Sequence, residues 1–461
     1  MHQKRYNRLS ENLYKTAIRE CFKGKWSRRD ILSFIEKYAG IPREEILLSE
    51  ITGSGAKDEA VDAIALALQE IVEELIEGHE PTDHIEPVRV RTRPDGMTGK
   101  LRDIALLCIL HQLLGHLAKL MLEPLFHARM LPTQHASIPE HGQTRLMRQT
   151  HRYLLQESMG IRYVQKTDVV HAYESLKYEV CINLIIKELP KAKELHTIMR
   201  YLEKLAPDGH LIIGGYLDAW LFNFTMSYAI RYLYTLGQTR RGKFTPYVKK
   251  CETFMDDFSI MTASCKGMKK ATAELGKWIQ RELGLQLKYT TGVTKMLPVE
   301  EEQRRRYLKS KAARGVPVLD MAGFKISRTH VCIRRRVFIR VRRQYLRAYE
   351  EYMTTGTLRL FRAKKIISYN SYFVQTDSRM AAEKYHAEMM MNIAREICAF
   401  YERLRYNKRM EELYALLERR GGNIAEKGNS GSITGRKDTG KTGRQHQEKQ
   451  GSGNRADNLS V

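Results

Sequence analysis

Residues 251–263 read "CETFMDDFSIMTA", which sets Asp256 and Asp257 side by side inside an otherwise apolar run. Adjacent carboxylates repel each other and fit poorly in a buried strand, because an uncompensated buried charge is costly. The run therefore reads as two strands bent at the aspartates. Two explanations of the pair are open at this point. Either it is a solvated turn, or bound cations offset the repulsion and the turn is a metal site.

The chain has 461 residues, enough for two or three domains, and 43% hydrophobic residues, enough to bury a core. Its formal charge is +25, and Lys and Arg recur along the whole length. Such a field favours nucleic acid or an anionic membrane as partner. The most apolar run, residues 104–122, carries His111, Gln112, His116 and Lys119. Those residues are expensive in lipid, so the run reads as a buried helix, and no membrane partner is expected. Seven cysteines are scattered singly with no C-x-x-C pair, which predicts reduced thiols in a cytoplasmic protein and no structural zinc site. The basic start "MHQKRYNRLSENLY" has no apolar core and does not read as a signal peptide.

Along the chain, residues 1–82 read as a helical N-terminal extension. "VRVRTRPDGMTGKLR" alternates apolar and basic residues around the turn signal Pro94-Asp95-Gly96, predicting a basic β-hairpin that leads into a helix over 104–126. A strand over Tyr163–Val170 carries Asp168 near its end, and helices follow over 176–205 and after a glycine turn at Gly214-Gly215. Residues 331–420 read as basic and mainly helical. The Gly- and Ser-rich remainder, 421–461, predicts a disordered tail.

This order, strand, two helices, hairpin, helix and short strands, can form one antiparallel sheet with helices on one face. In such a sheet Asp168 can converge with Asp256 and Asp257. Three carboxylates without His or Cys suit a hard cation, above all Mg²⁺. Two such ions clamp the attacking and leaving oxygens of a phosphoryl transfer.

The chain resembles a reverse transcriptase over roughly residues 85–375. "FMDDF" is similar to the family's central hairpin motif, with Phe254 where Tyr is commoner, and "KTDVVHAYESL" to its first palm motif. "LIIGGYLDAWLFNF" resembles the glycine turn and helix of the nucleotide pocket, "TKMLPV" and "LDMAGFKI" two later palm motifs, and "GKLRDIALLCILHQLL" and "ASIPEHGQ" a fingers segment and a loop of bacterial members. The resemblance implies an α+β right-hand polymerase with an antiparallel palm sheet, fingers and a helical thumb. Fingers and palm would occupy 83–330 and the thumb 331–420.

It further implies an RNA-directed DNA polymerase using Mg²⁺, with Mn²⁺ as a substitute. RNA template, DNA or RNA primer and deoxynucleoside triphosphates would be its partners, together with an accessory protein in some settings. Asp168 and Asp256 would hold both ions with Asp257 assisting and the Val169 carbonyl as a further ligand. Lys100, Arg102 and Lys295 would face phosphates, Tyr173 would lie under the sugar, Gly214 would admit the nucleotide, and Gly323 would form the primer grip. The turn "IIGGYLDAW" lacks the Pro-Gln common before its first glycine. It is nearest to diversity-generating retroelement enzymes, which usually have Ser-Gln where this chain has Asp218-Ala219. A bacterial or phage retroelement, mutagenic or phage-defending, is the setting implied. The alternative is a non-catalytic RNA-binding scaffold that kept a polymerase fold.

Overall fold

A computed structural model describes residues 6–81, 85–86, 88–94, 101–289, 291–307 and 315–420. Lys100 and the tail expected to be disordered lie outside the described residues. The chain divides into two compact units, Met1–Leu416 and Leu417–Val461, and every strand among the described residues belongs to the first.

Four helices open the chain: α1 (Glu11–Phe22), α2 (Arg29–Ala39), α3 (Arg43–Thr52) and α4 (Ala56–Ile76). Ser10 caps α1 by accepting from the Leu13 N–H, which satisfies one of the donors a helix start leaves open. Their apolar faces are not self-sufficient. Ile18, Phe22, Ile64 and Leu68 belong to the same core as Leu113 and Leu117 of α5 (Ile109–Arg129). The N-terminal extension is therefore part of the main body rather than a separately cored domain.

Between them stands the basic hairpin, β1 (Arg89–Pro94) and β2 (Leu101–Leu106), paired antiparallel as expected. The helix expected from residue 104 begins only at Ile109. Residues 101–106 stay extended because they pair with β1, and because the Ala105 N–H donates to the Ile213 carbonyl at 2.9 Å.

Next come α6 (Gln143–Leu155), β3 (Tyr163–Val169), the short α7 (Ala172–Ser175), α8 (Tyr178–Glu188), α9 (Lys193–Leu205) and α10 (Tyr216–Thr235). Pro190, with no N–H to donate, falls in the break that splits the expected 176–205 helix into α8 and α9. A small hairpin, β4 (Gly237–Arg240) and β5 (Lys243–Pro246), leads into β6 (Val248–Phe254) and β7 (Asp257–Thr262). After these come α11 (Cys265–Leu283), β8 (Leu287–Tyr289), β9 (Thr294–Lys295) and α12 (Val299–Tyr307). A three-stranded sheet of β10 (Leu319–Met321), β11 (Phe324–Ile326) and β12 (Val331–Ile333) precedes α13 (Arg335–Thr355), α14 (Leu360–Val374), α15 (Arg379–Lys384) and α16 (Ala387–Arg419). The fold is the α+β one expected.

Five strands make the main sheet, in the order β6-β7-β3-β8 with β9 also on β3, all antiparallel. Side chains alternate between its faces. Val169, Phe258 and Ile260 point to one face and join the core of α10 and α11; Val164 and Met261 point to the other and join a second core with β10–β12 and α13–α16. At one end of the sheet the second face is apolar, with Val164 beside Met261. At the other end the second face carries Lys166, Asp168 and Asp257 instead. Among the described residues, no helix is long and apolar enough to cross a membrane.

Phe258, the second residue of β7, is fully buried, so Phe258→Ala should cost about 3–5 kcal/mol, read as a lower urea midpoint. A loss under about 1 kcal/mol would contradict this packing.

Candidate active site

Asp168 is the penultimate residue of β3, and its Cα partner across the seam is Asp257, the first residue of β7. Directly opposed residues share a face, so the two carboxyls emerge on the same side. Met255 and Asp256 make the two-residue turn between β6 and β7, with Met255 at φ +54°. A non-glycine residue there carries strain of about 1–2 kcal/mol. The turn is held from below by the Val169 N–H, which donates to the Asp256 carbonyl at 3.2 Å.

The side-chain charges are unevenly compensated. Burial, the Asp168 carboxyl within hydrogen-bonding reach and the charge of Asp257 together push Asp256 up to about 7. Asp168 Oδ1 is buried and receives no donor. Asp257 is also raised by burial, but against the pull of Lys166, whose Nζ lies 2.8 Å from Oδ2, and of the more distant Arg334. Lys166 sits two residues before Asp168 and so shares its face.

The three expected carboxylates are thus brought together unequally: Asp168 and Asp256 form a pair, and Asp257 stands beside them in an ion pair. Among the described residues no three His, Cys, Asp or Glu side chains gather closely enough to hold a metal ion. The pair itself fits a hard cation. Its donors are all oxygen, one of them lacks any partner, and a proton is favoured on Asp256 where a cation could serve instead.

These groups open into a cleft of roughly 620 Å³, lined also by Arg102, Tyr173, Ile213, Phe254 and Lys288. Tyr173 stacks on Phe222 with ring centroids 5.2 Å apart. Gly214, at φ +110°, meets the hairpin so closely that a Cβ would lie 3.0 Å from the Ala105 carbonyl. The wall behind it is closed by Asp218, which the sequence shows only as a departure from the resembling enzymes. Its buried carboxyl accepts from the Ile212 N–H at 2.8 Å and the Tyr178 hydroxyl at 3.0 Å. Burial nevertheless pushes Asp218 up to about 6. A Cβ on Gly215 would come within 1.9 Å of Asp218 Oδ2, so the second glycine is required by that carboxyl.

One expected residue is placed elsewhere. Lys295 pairs with Tyr163, five residues from Asp168 along β3. At ~3.3 Å per residue the separation is about 16 Å, too far for a shared phosphate. The lysine opposite Asp168 is Lys288 of β8, which no sequence motif singles out. Gly323 does form a tight turn, with Ala322, between β10 and β11, at φ +90° against the Tyr372 ring. Its carbonyl accepts from the N–H of Arg334, the residue whose charge is felt by Asp257.

No family model matches the chain, and no curated protein matches it. Among solved structures it is similar to apo telomerase from Candida tropicalis, at 11% identity and a TM-score of 0.39, over 88% of this chain and 81% of that one. It is also similar to telomerase from Candida albicans in complex with a fragment of telomeric RNA. There the identity is 10% and the TM-score 0.37, over 68% of this chain and 64% of the other.

A carboxyl raised in the folded state stabilises the fold below its unfolded value, near 3.9, and loses that contribution as pH rises through about 7. The folded chain should therefore lose stability across this window, and Asp256→Asn should flatten the loss. Thermal melts of both proteins at several pH values check this; parallel curves would show that Asp256 is not protonated in the fold.

Proposed function

We propose that the chain is an RNA-directed DNA polymerase that extends a primer with deoxynucleotides at the Asp168–Asp256 cleft. The observation that carries this reading is the contact of two carboxyls at a strand-turn seam, in a cleft with Arg102 and Lys288 on its walls. When bound, a pair of Mg²⁺ ions, or Mn²⁺ in their place, would neutralise charge on the attacking and leaving oxygens. Asp168, Asp256 and the Val169 carbonyl would hold them, and Asp257 would assist if its bond to Lys166 were exchanged.

The chain's own groups account for the remaining needs. Arg102, with Lys100, would take the triphosphate, since guanidinium forks suit phosphate oxygens. Across the hairpin Arg102 stands opposite Arg93, so the two cations share one face of it. Lys288 takes the place proposed for Lys295 as the cation nearest the reacting phosphates. Tyr173, fixed by its stack on Phe222, would press on the sugar and exclude a 2′-hydroxyl. Gly214 would admit the base and sugar, and the Gly323 turn would support the primer end. Helices α13–α16 would grip the duplex by its phosphates as a thumb. We place the enzyme in a bacterial or phage retroelement, mutagenic or phage-defending, with an accessory protein as a further partner.

One observation favours the rival scaffold reading: Lys166 already compensates Asp257. Primer extension decides between them. On an RNA template with added Mg²⁺ the chain should extend a DNA primer, and Asp256→Asn should reduce the rate by at least about 100-fold, the scale of losing one electrostatic stabiliser. RNA binding without extension at any Mg²⁺ or Mn²⁺ concentration would establish the scaffold.

The sugar contact gives a second test. Tyr173→Ala should raise ribonucleotide incorporation relative to deoxynucleotide, measured by competition in single-turnover extension. An unchanged ratio would mean that another group selects the sugar.

A further inference from the structure

Helix α6 carries Arg145, Arg148 and Arg152 at spacings of three and four, so all three share one face, while Leu146, Met147 and Leu154 bury the other in the core it shares with β11. The arginines line an open groove of roughly 560 Å³ with Gln149, Thr144 and Glu140. None of the three is ion-paired to an acid among the described residues, although exposed arginines elsewhere in the chain commonly are. Arg148 is steadied by a neutral partner, donating to Gln375 Oε1 at 2.6 Å.

The carboxylate beneath the groove does not compensate them. Glu252 of β6 is wholly buried against His135 and accepts from Gln149 at 3.3 Å. Burial pushes it up to about 8 despite Lys250, Arg145 and Arg152 nearby, so it is largely neutral at pH 7. Lys250, over the Tyr153 ring at 4.9 Å, adds positive charge at the same edge. This is a held cluster of cations whose mutual repulsion a polyanion would relieve.

Its position names the polyanion. Glu252, under the groove, is four residues from Asp256, at most about 13 Å along the strand and turn. Phe254, between them, lines the cleft. From Arg145 to Arg152 the helix rises about 10 Å, close to three phosphate steps of one duplex strand at about 3.4 Å of axis each.

We propose that the arginine face of α6 holds the phosphates of the nucleic-acid strand leaving the Asp168–Asp256 cleft. This rests on the polymerase reading for the identity of the duplex, but it concerns binding alone. The contacts are to backbone, so they set affinity and register and carry no base preference.

The test is the salt dependence of binding between the full-length chain and a long RNA–DNA hybrid, read by fluorescence anisotropy. Each phosphate contact contributes about 0.9 to the slope of log affinity against log salt, so Arg145→Gln, Arg148→Gln and Arg152→Gln together should lower it by about 2.7. Between about 50 and 200 mM salt, the affinity lost by the parent should then exceed that lost by the triple variant roughly 40-fold. The matching triple lysine variant should keep the parent slope. If the triple glutamine variant melts below the parent, Arg152→Gln alone, at the exposed end, should still lower the slope by about 0.9.

An unchanged slope in folded variants overturns the proposal and leaves the face to some other, protein partner. The two readings fail separately. A chain that binds with this slope yet never extends a primer overturns the polymerase and leaves the arginine face standing. One that extends with an unchanged slope overturns the arginine face alone.

Discussion

Strand β3 is hydrogen-bonded along both edges, to β7 on one side and to β8 and β9 on the other, and the contents of the cleft depend on that. Because a strand's side chains alternate, a slip of one residue would send Asp168 into the apolar core and Val169 into the cleft. Two apolar sets oppose such a slip. Val169, Phe258 and Ile260 are committed to the α10–α11 side, and Val164 and Met261 to the β10–β12 side. The same register sets both neighbours of Asp168, with Asp257 opposite on one edge and Lys288 opposite on the other.

Holding three carboxyl groups at one end of a buried sheet then becomes a question of compensation. The chain answers it in two ways. Asp257 faces Lys166, which lies nine-tenths buried on the same face and can reach it across the seam. Asp256 faces the acid Asp168 with Asp257 nearby, so burial and the two neighbouring carboxyls together favour its protonated form. A carboxyl in that condition has a standing preference for any positive charge that can enter, proton or metal. This preference follows from geometry and desolvation alone, and it separates the pair from an ordinary solvated turn, whose carboxylates water would compensate.

Much of this is legible in the sequence. The aspartate pair, the strand carrying Asp168, the basic hairpin and the two glycine turns are local features, written in alternation and turn chemistry, and all are found where they are expected. What escapes is whatever depends on which strand lies beside which. Lys288 and Lys295 sit on neighbouring short strands, β8 and β9, and both pair with β3; only the register shows that the first is opposite Asp168 and the second opposite Tyr163. Lys166 is a partial exception, since a lysine inside an apolar strand two residues from an aspartate must find an acid on its own face. The start of α5 escapes for a similar reason. The bonds that keep Ala105 extended come from β1 and Ile213, one of them more than a hundred residues away.

Asp218 shows how a departure from a resembling pattern can be a structural solution. Glycine at 215 makes room for a carboxyl directly behind the turn, and that carboxyl ties Ile212 to Tyr178 of α8. The next link runs outward. Ile213 holds Ala105 through a backbone bond, and Gly214 admits the Ala105 carbonyl at a distance a side chain would not tolerate. The basic hairpin is therefore docked on a turn that is itself braced from the interior. A residue such as serine, with a shorter side chain, would not span from α10 to both Ile212 and Tyr178 in this backbone. The cleft wall, the hairpin and α8 would then lose their common anchor. In this chain the acid at 218 and the glycine at 215 form one unit, and the position of Arg102 over the cleft depends on it.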